Sequence, residues 1–282
     1  MKFATLTNGD LVALKNGKSI LLKKLGFEGA MMDLIRLAPA GFDDLKMKIN
    51  NADAEINVPD EDSFAAPLAN PSKIVAIGLN YLDHASESKM EVPDHPLVFT
   101  KFPSSIISAT DAIEIPADLT DQVDYEVELG IIIGKKAKNV SQEEALSYVF
   151  GYTVLNDISA RDLQFSDEQW VRGKSLDTFC PMGPVIVTAD EVPEPQSLDL
   201  GCSVNGKILQ EDNTKNMIFG VAALVSKLSH SFTLEPGDII ASGTPQGVGF
   251  SRQPPVFLTP GDKVKTWVEG IGELHNPVTK AN

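Results

Sequence analysis

The chain is patterned as short apolar runs separated by turn residues, which predicts many strands and few helices. Residues 3–6 and 11–14 flank Asn8-Gly9-Asp10, a hairpin signal because Asn-Gly accepts the positive φ of a type I′ turn. Residues 19–25 form another apolar run, and 31–37 and 42–49 have helical spacing interrupted by Pro39 and Gly41. Val58-Pro59-Asp60-Glu61-Asp62 and Ala66-Pro67 read as a joint. The expected division is a small N-terminal α/β module over 1–65 and a catalytic domain over 66–282.

After Pro71 strands are expected at 73–78, 97–100, 113–115, 125–134, 152–155, 184–188, 200–204, 207–209, 238–242, 263–268 and 272–277. Ser141-x-x-Glu144 is a capping box that predicts a helix through Val149, and 219–229 predicts a second. Asn205-Gly206 marks another hairpin. Strands in meander with few helices give an α+β, mainly β fold, a mixed β roll and not a doubly wound sheet.

Charge narrows the partners. Across 282 residues, 24 Lys+Arg stand against 39 Asp+Glu, a formal net charge of −15. Nucleic acids and anionic membranes call for a cationic surface, so neither is an expected partner. Cys180 and Cys202 make neither a disulfide framework nor a metal knuckle and read as buried thiols in a reducing compartment. The first ten residues lack an apolar signal core, and no run approaches the roughly 18 apolar residues of a membrane span, so a cytoplasmic protein is expected.

The candidate chemistry is carboxylate-rich. In an extended Glu126-Val127-Glu128, both carboxylates project to one face while Tyr125 and Val127 take the other. Two like charges on an apolar strand need a cation or solvent. Asp157 adds a third carboxylate at a strand end, and three oxygen donors without His or Cys suit Mg²⁺ or Mn²⁺, with Ca²⁺ able to substitute. Arg161 and Lys174 would turn such a site net positive and receptive to an anion. Gly173-Lys174-Ser175 is no P-loop, because Glu168 stands where the first glycine is required. Residues 242–249 form a glycine-rich loop whose amides could cradle a carboxylate. His84 and Glu87, three apart, would meet on one helical turn as a general base and its orienting carboxylate. The polar stretch around Glu91 and Asp94 has the character of a lid. Each feature has a plainer counterpart: solvated edge-strand carboxylates, a helix-capping Asp157, a surface Lys174, a structural glycine turn, and a surface His–Glu pair.

Several blocks, in order, resemble the fumarylacetoacetate hydrolase family over roughly 71–278. They are GLNYLDHASE at 78–87, DYEVELGIIIGK at 124–135, GYTVLNDISARDLQ at 151–164, GKSLDTFCPMGP at 173–184, VNGKILQ at 204–210 and PGDIIASGTPQGVG at 236–249. The resemblance implies a mixed β-sandwich roll, usually a homodimer, behind a variable N-terminal module. It implies Mg²⁺ ligation by Glu126, Glu128 and Asp157, and a substrate or metal pocket lined by Arg161, Gln164, Lys174, Thr178 and Thr244. His84 with Glu87 matches a water-activating dyad carried on a lid. The implied reaction is hydrolysis of a C–C bond in a small 2,4-dioxo acid, an acylpyruvate. Water deprotonated by His84 would add to the distal carbonyl, and Lys174 and the ion would offset the charge of the departing pyruvate enolate. Oxaloacetate decarboxylation and hydrolysis or isomerisation of a diketo sugar acid use related chemistry. The non-catalytic alternative is a β-rich binding protein stabilised by Ca²⁺.

Overall fold

The computed structural model describes residues 1–281 apart from 16, 38–40, 53–55 and 58–62, with backbone only at 56 and 57. The joint read at Val58–Asp62 and the break at Pro39 lie outside the described residues. The first strands are β1 (Lys2–Thr5), β2 (Leu11–Lys15), β3 (Lys18–Leu21) and β4 (Ile56–Asn57), with helices α1 (Met31–Leu37) and α2 (Phe42–Asn51) between β3 and β4. Then come β5 (Ile74–Gly78), the short helix α3 (Leu82–Glu87), β6 (Leu97–Lys101), β7 (Ile106–Ile107), β8 (Ile113–Ile115), β9 (Val123–Asp124), β10 (Val127–Ile133) and β11 (Val149–Asn156). Next are β12 (Ser159–Ala160), helices α4 (Arg161–Ser166) and α5 (Val171–Lys174), and β13 (Cys180–Thr188). The chain closes with β14 (Asp199–Val204), β15 (Lys207–Asn213), helix α6 (Val221–Ser231), β16 (Ile239–Ala241), β17 (Lys263–Val268) and β18 (Gly272–Lys280).

Two sheets carry the molecule, as expected of a mainly β sandwich. The larger runs β4-β3-β2-β1-β13-β11-β10-β16-β5-β6, with β7 paired to β13, and the smaller runs β15-β14-β17-β18-β8. Pairing is mixed: β10–β11 is antiparallel, whereas β16–β5 is parallel. Alternation along β10 decides the layers. Val127, Leu129, Ile131 and Ile133 face an apolar cluster shared with Leu200, Val264 and Leu274 of the smaller sheet, while Ile132 faces the opposite side. On that opposite side Leu34 and Ile35 of α1 and Phe42, Leu45 and Ile49 of α2 cover the sheet. Strands β1–β4 thus share a sheet with the rest, since β1 pairs with β13 through Phe3↔Ile186. Among the described residues no helix is long and apolar enough to cross a membrane.

Local readings hold with three corrections. The first hairpin is present, but its loop places only Gly9 at positive φ (87°), with the Gly9 N–H donating to Leu6 O and the Leu6 N–H to Asp10 O. This is a three-residue loop with a left-handed glycine, not the two-residue type I′ form. Asn205 and Gly206 do take that form, at φ 53° and 80°. The capping box at Ser141 starts only a 3₁₀ turn, Ala145–Tyr148, because Val149 already belongs to β11 and the Tyr148 carbonyl accepts from the Gly134 amide. Finally, Glu126 precedes β10, yet the Asp157 amide donates to its carbonyl at 2.8 Å, so the pairing with the end of β11 continues past the strand.

Candidate active site

The ends of β10 and β11 bring three carboxylates together. Ligand oxygens of Glu126, Glu128 and Asp157 lie within 4.8 Å of one another, all three residues buried. Glu126 and Glu128 share a face as expected, because Tyr125 and Val127 turn into the inter-sheet cluster. The Asn156 side chain accepts from the Glu126 amide at 2.9 Å, fixing the bend before the strand.

The short helices α4 and α5 supply cations. The close approach of Gly173 to α4 positions Lys174, since a Cβ on Gly173 would lie 2.5 Å from Gln164 N and 2.7 Å from Ala160 O. Lys174 is 2% exposed and donates to Glu126 Oε2 at 2.6 Å and Asp157 Oδ2 at 2.8 Å. Arg161 donates to Glu126 Oε1 at 2.6 Å, Asp124 Oδ2 at 2.8 Å and Gln164 Oε1 at 2.9 Å, and its guanidinium lies over the Phe250 ring. Burial pushes the Glu126 carboxyl up, but Lys174 and Arg161 outweigh it and hold the group down at about 2. Burial alone would lower the Lys174 ammonium, and Asp157 and Glu126 reverse that and raise it.

Two ionic residues were not legible as site residues. Lys101, at the end of β6, is fully buried and donates to Asp157 Oδ1 at 2.6 Å, to Ile158 O at 3.2 Å and to the Lys174 carbonyl. Asp124 receives Arg161 and the amides of Gly249 and Phe250, at 2.7 and 3.1 Å. The only sequence signal for either was a charge closing or preceding an apolar strand, which is also the signature of an ordinary solvated strand end.

Glu128 is the exception to this pairing. Its Oε2 accepts the Gly243 amide at 2.9 Å, and no lysine or arginine salt-bridges it among the described residues. Burial, then Asp157, then Glu126 push its carboxyl well above the usual range. A buried carboxylate set without a cation at one corner, built from oxygen donors alone, fits a hard divalent ion. The site's four carboxylates, Asp124 included, outnumber its three cations by one, so a divalent ion would make the whole net positive.

His84 Nδ1 is 2.9 Å from Glu87 Oε1 on α3, and His84 is buried. A carboxylate only accepts, so the proton sits on Nδ1 and Nε2 is the basic nitrogen left to the pocket. The glycine loop does cradle carboxylates, and they are the protein's own: Gly247 N–H meets both oxygens of Glu87 at 3.0 Å, alongside the Gly243 and Gly249 contacts above. His84, Glu126, Arg161, Gln164, Lys174 and Thr244 line one pocket of about 20 Å³, bordered on its apolar side by residues such as Phe99 and Trp170. Thr244 is held by Gln210 Nε2 at 2.8 Å, while Gln210 Oε1 accepts from the Val127 amide at 3.0 Å. Thr178 is not brought to this cavity; its hydroxyl accepts from the Glu114 amide at 2.9 Å.

Residues 73–279 match the family model of the fumarylacetoacetate (FAA) hydrolase C-terminal domain. A Xenopus laevis protein named as a mitochondrial oxaloacetate tautomerase is 47% identical over 218 residues, 77% of this chain and 68% of its own. The human oxaloacetate tautomerase FAHD2A, also named mitochondrial, is 44% identical over 77% of this chain and 70% of its own. Among solved structures, a fumarylacetoacetate hydrolase from psychrophilic Exiguobacterium antarcticum is similar over the whole of both chains, with TM-score 0.85 and 36% identity. A maleylpyruvate hydrolase from Sphingobium sp. SYK-6, solved with manganese(II) and pyruvate, is also similar over the whole of both chains, with TM-score 0.83 and 31% identity.

Proposed function

Because the chain belongs to the fumarylacetoacetate hydrolase family, we propose that it is an enzyme acting on small 2-oxo acids that react through an enolate, with keto–enol interconversion of oxaloacetate as the first reading. One observation carries this: His84, held by Glu87, and the buried Lys174 line the same small cavity as Glu126, one of the three clustered acidic residues. The similarity to oxaloacetate tautomerases supports oxaloacetate as the substrate of this reading. Cleavage of acylpyruvates is the second reading, favoured by the similarity to a maleylpyruvate hydrolase along the whole chain.

The residues divide the work. Glu126, Glu128 and Asp157 would hold Mg²⁺ or Mn²⁺, which when bound supplies Lewis acidity toward carboxylate and 2-oxo oxygens. His84 Nε2 takes a proton from C3 of the keto acid, the electron pair forms the C2–C3 enolate, and the proton returns to O2 to give the enol. Glu87 holds the ring and offsets the imidazolium that forms. Lys174 uses two of its three N–H groups on Glu126 and Asp157, leaving one to oppose charge developing on the enolate oxygen. Arg161 and Gln164 border the same cavity as substrate-positioning groups. On an acylpyruvate His84 would instead deprotonate water, whose addition to C4 breaks C3–C4 and leaves the electron pair on the pyruvate enolate. The pocket as it stands has room for little more than water, and His84, Ser88 and Met90 line it, so substrate would enter by displacing the segment 82–91 as a lid while Asn80 and Tyr81 stay fixed in the core.

The test follows enol absorbance of oxaloacetate and of acetylpyruvate with Mg²⁺ and with chelator, while a coupled lactate dehydrogenase assay reads pyruvate release. Metal-dependent enol loss from oxaloacetate without pyruvate is the expected result. Pyruvate from acetylpyruvate would support the second reading, pyruvate from oxaloacetate alone would mean decarboxylation, and no turnover of either would overturn the enzyme reading.

We also propose a homodimer. Supporting it, β6 is the edge strand of the large sheet, with Leu97 and Val98 exposed on it and Phe102 exposed just after it. Beside β6 lies an apolar groove of about 660 Å³ lined by Val75, Leu97, Val98, Trp170 and Phe232, which a second copy would cover.

A further inference from the structure

The carbonyl of Gly247 accepts from three donors on two side chains. Arg252 Nη2 donates to it at 3.0 Å, Arg252 Nε at 3.2 Å and the Tyr125 hydroxyl at 3.2 Å. The same guanidinium reaches across to the Leu209 carbonyl on β15 and to Tyr125 Oη. On the other side of the same Cα, the Gly247 N–H is shared between the two carboxylate oxygens of Glu87, both at 3.0 Å. Gly247 sits at φ 97°, and a Cβ there would fall 2.2 Å from Leu209 O, so the loop is seated hard against β15.

We propose that Arg252 is a positioning residue for the His84–Glu87 base, acting through Gly247. The inference rests on the reading of His84 as base. No lysine or arginine salt-bridges Glu87 among the described residues, so the Gly247 amide anchors it to the body of the protein. With Gly247 clamped to β15 and Tyr125, its amide has one direction, and the carboxylate has one seat. His84 then presents Nε2 from a defined place each time α3 closes. Arg252 never touches the cavity, so its effect should appear in turnover and not in substrate affinity. A planar fork spanning two carbonyls is a geometric device, which a lysine of the same charge does not reproduce.

The experiment uses Arg252→Met and Arg252→Lys, assayed on whichever of oxaloacetate and acetylpyruvate the wild type turns over faster. Both variants should lose ten- to a hundredfold in kcat, the scale of a small misplacement of a reacting group, with KM changed less than twofold. In a Glu87→Ala background Arg252→Met should cost less than a further twofold, because the seat it orients is already empty. Amide exchange should quicken in the peptide covering 85–90 in both Arg252 variants, with 127–133 unchanged. Full losses that multiply in the double variant, wild-type turnover by Arg252→Lys, or unaltered exchange at 85–90 would each overturn the inference. The exchange measurement is independent of chemistry, so quickened exchange beside an active His84→Ala would fault the reading of the base, whereas unaltered exchange would fault the clamp itself.

Discussion

Lys101 and Asp157 form an ion pair that solvent does not reach: Nζ and Oδ1 are 2.6 Å apart and both side chains are 0% exposed. Because Lys101 also holds the Lys174 carbonyl, one ammonium ties a metal-ligand candidate to the backbone that delivers the second cation. Removing Lys101 leaves Asp157 with Lys174 as its remaining cation, and loss of one hydrogen bond to a buried charge costs about 1.5–3 kcal/mol. Lys101→Met should lower the urea unfolding free energy by that amount. A loss below about 1 kcal/mol would show that the pair contributes little beyond what hydrophobic packing supplies in its place.

Divalent ions should stabilise the fold through Glu128. A ligand at a hundred times its dissociation constant adds about 2.7 kcal/mol, so Mg²⁺ or Mn²⁺ should raise the melting midpoint of the chelator-treated protein by several degrees. Glu128→Gln should abolish that shift. It should not weaken the metal-free protein, because it removes a buried charge that burial and its neighbours already disfavour. An undiminished metal shift in Glu128→Gln would place the ion elsewhere.

His84→Ala and Lys174→Met should separate proton transfer from enolate stabilisation. Loss of the base should cut tautomerisation and acylpyruvate cleavage at least about a hundredfold. Any decarboxylation of oxaloacetate should survive His84→Ala better, since it needs no proton removed from carbon or water. Lys174→Met should depress all three by about 10²–10³-fold, the scale for removing one donor to a developing oxyanion. Equal retention of decarboxylation by both variants would contradict the assignment of Lys174.

Sedimentation at micromolar concentration should give twice the 30.4 kDa of one chain. Val98→Asp, on the exposed edge strand, should shift the mass toward a single chain. Dimers unaffected by that change would move the interface away from β6.

The division at residues 65 and 66 can be tested by unfolding. Leu34 of α1 is fully buried against the large sheet, so Leu34→Ala should cost about 2–5 kcal/mol. Because β1 pairs with β13, that loss should move one transition of the whole chain. Two separate transitions, only the first of them shifted, would show the N-terminal module unfolding independently.

Much of the molecule was readable from local order. The apolar runs located most strands, Asn205-Gly206 specified its turn, and period-two alternation placed Glu126 and Glu128 on one face, because side-chain direction in extended backbone depends only on parity. The His84–Glu87 contact was likewise local, since residues three apart on a helical turn meet. Lys174 was marked for the site by its charge and by resemblance, but its burial depends on the approach of α5 to α4 at Gly173. Lys101, Asp124 and Arg252 were invisible: their partners lie 37 to 56 residues away or across a loop, and a charged residue beside an apolar strand looks the same whether it is solvated or paired. The capping box at Ser141 shows the converse, a local signal that specified a helix start and was cut short where β11 pairs with β10 and β13. Local sequence determines which way a side chain points; what it meets there depends on which distant strands share a sheet, and only the tertiary structure decides that.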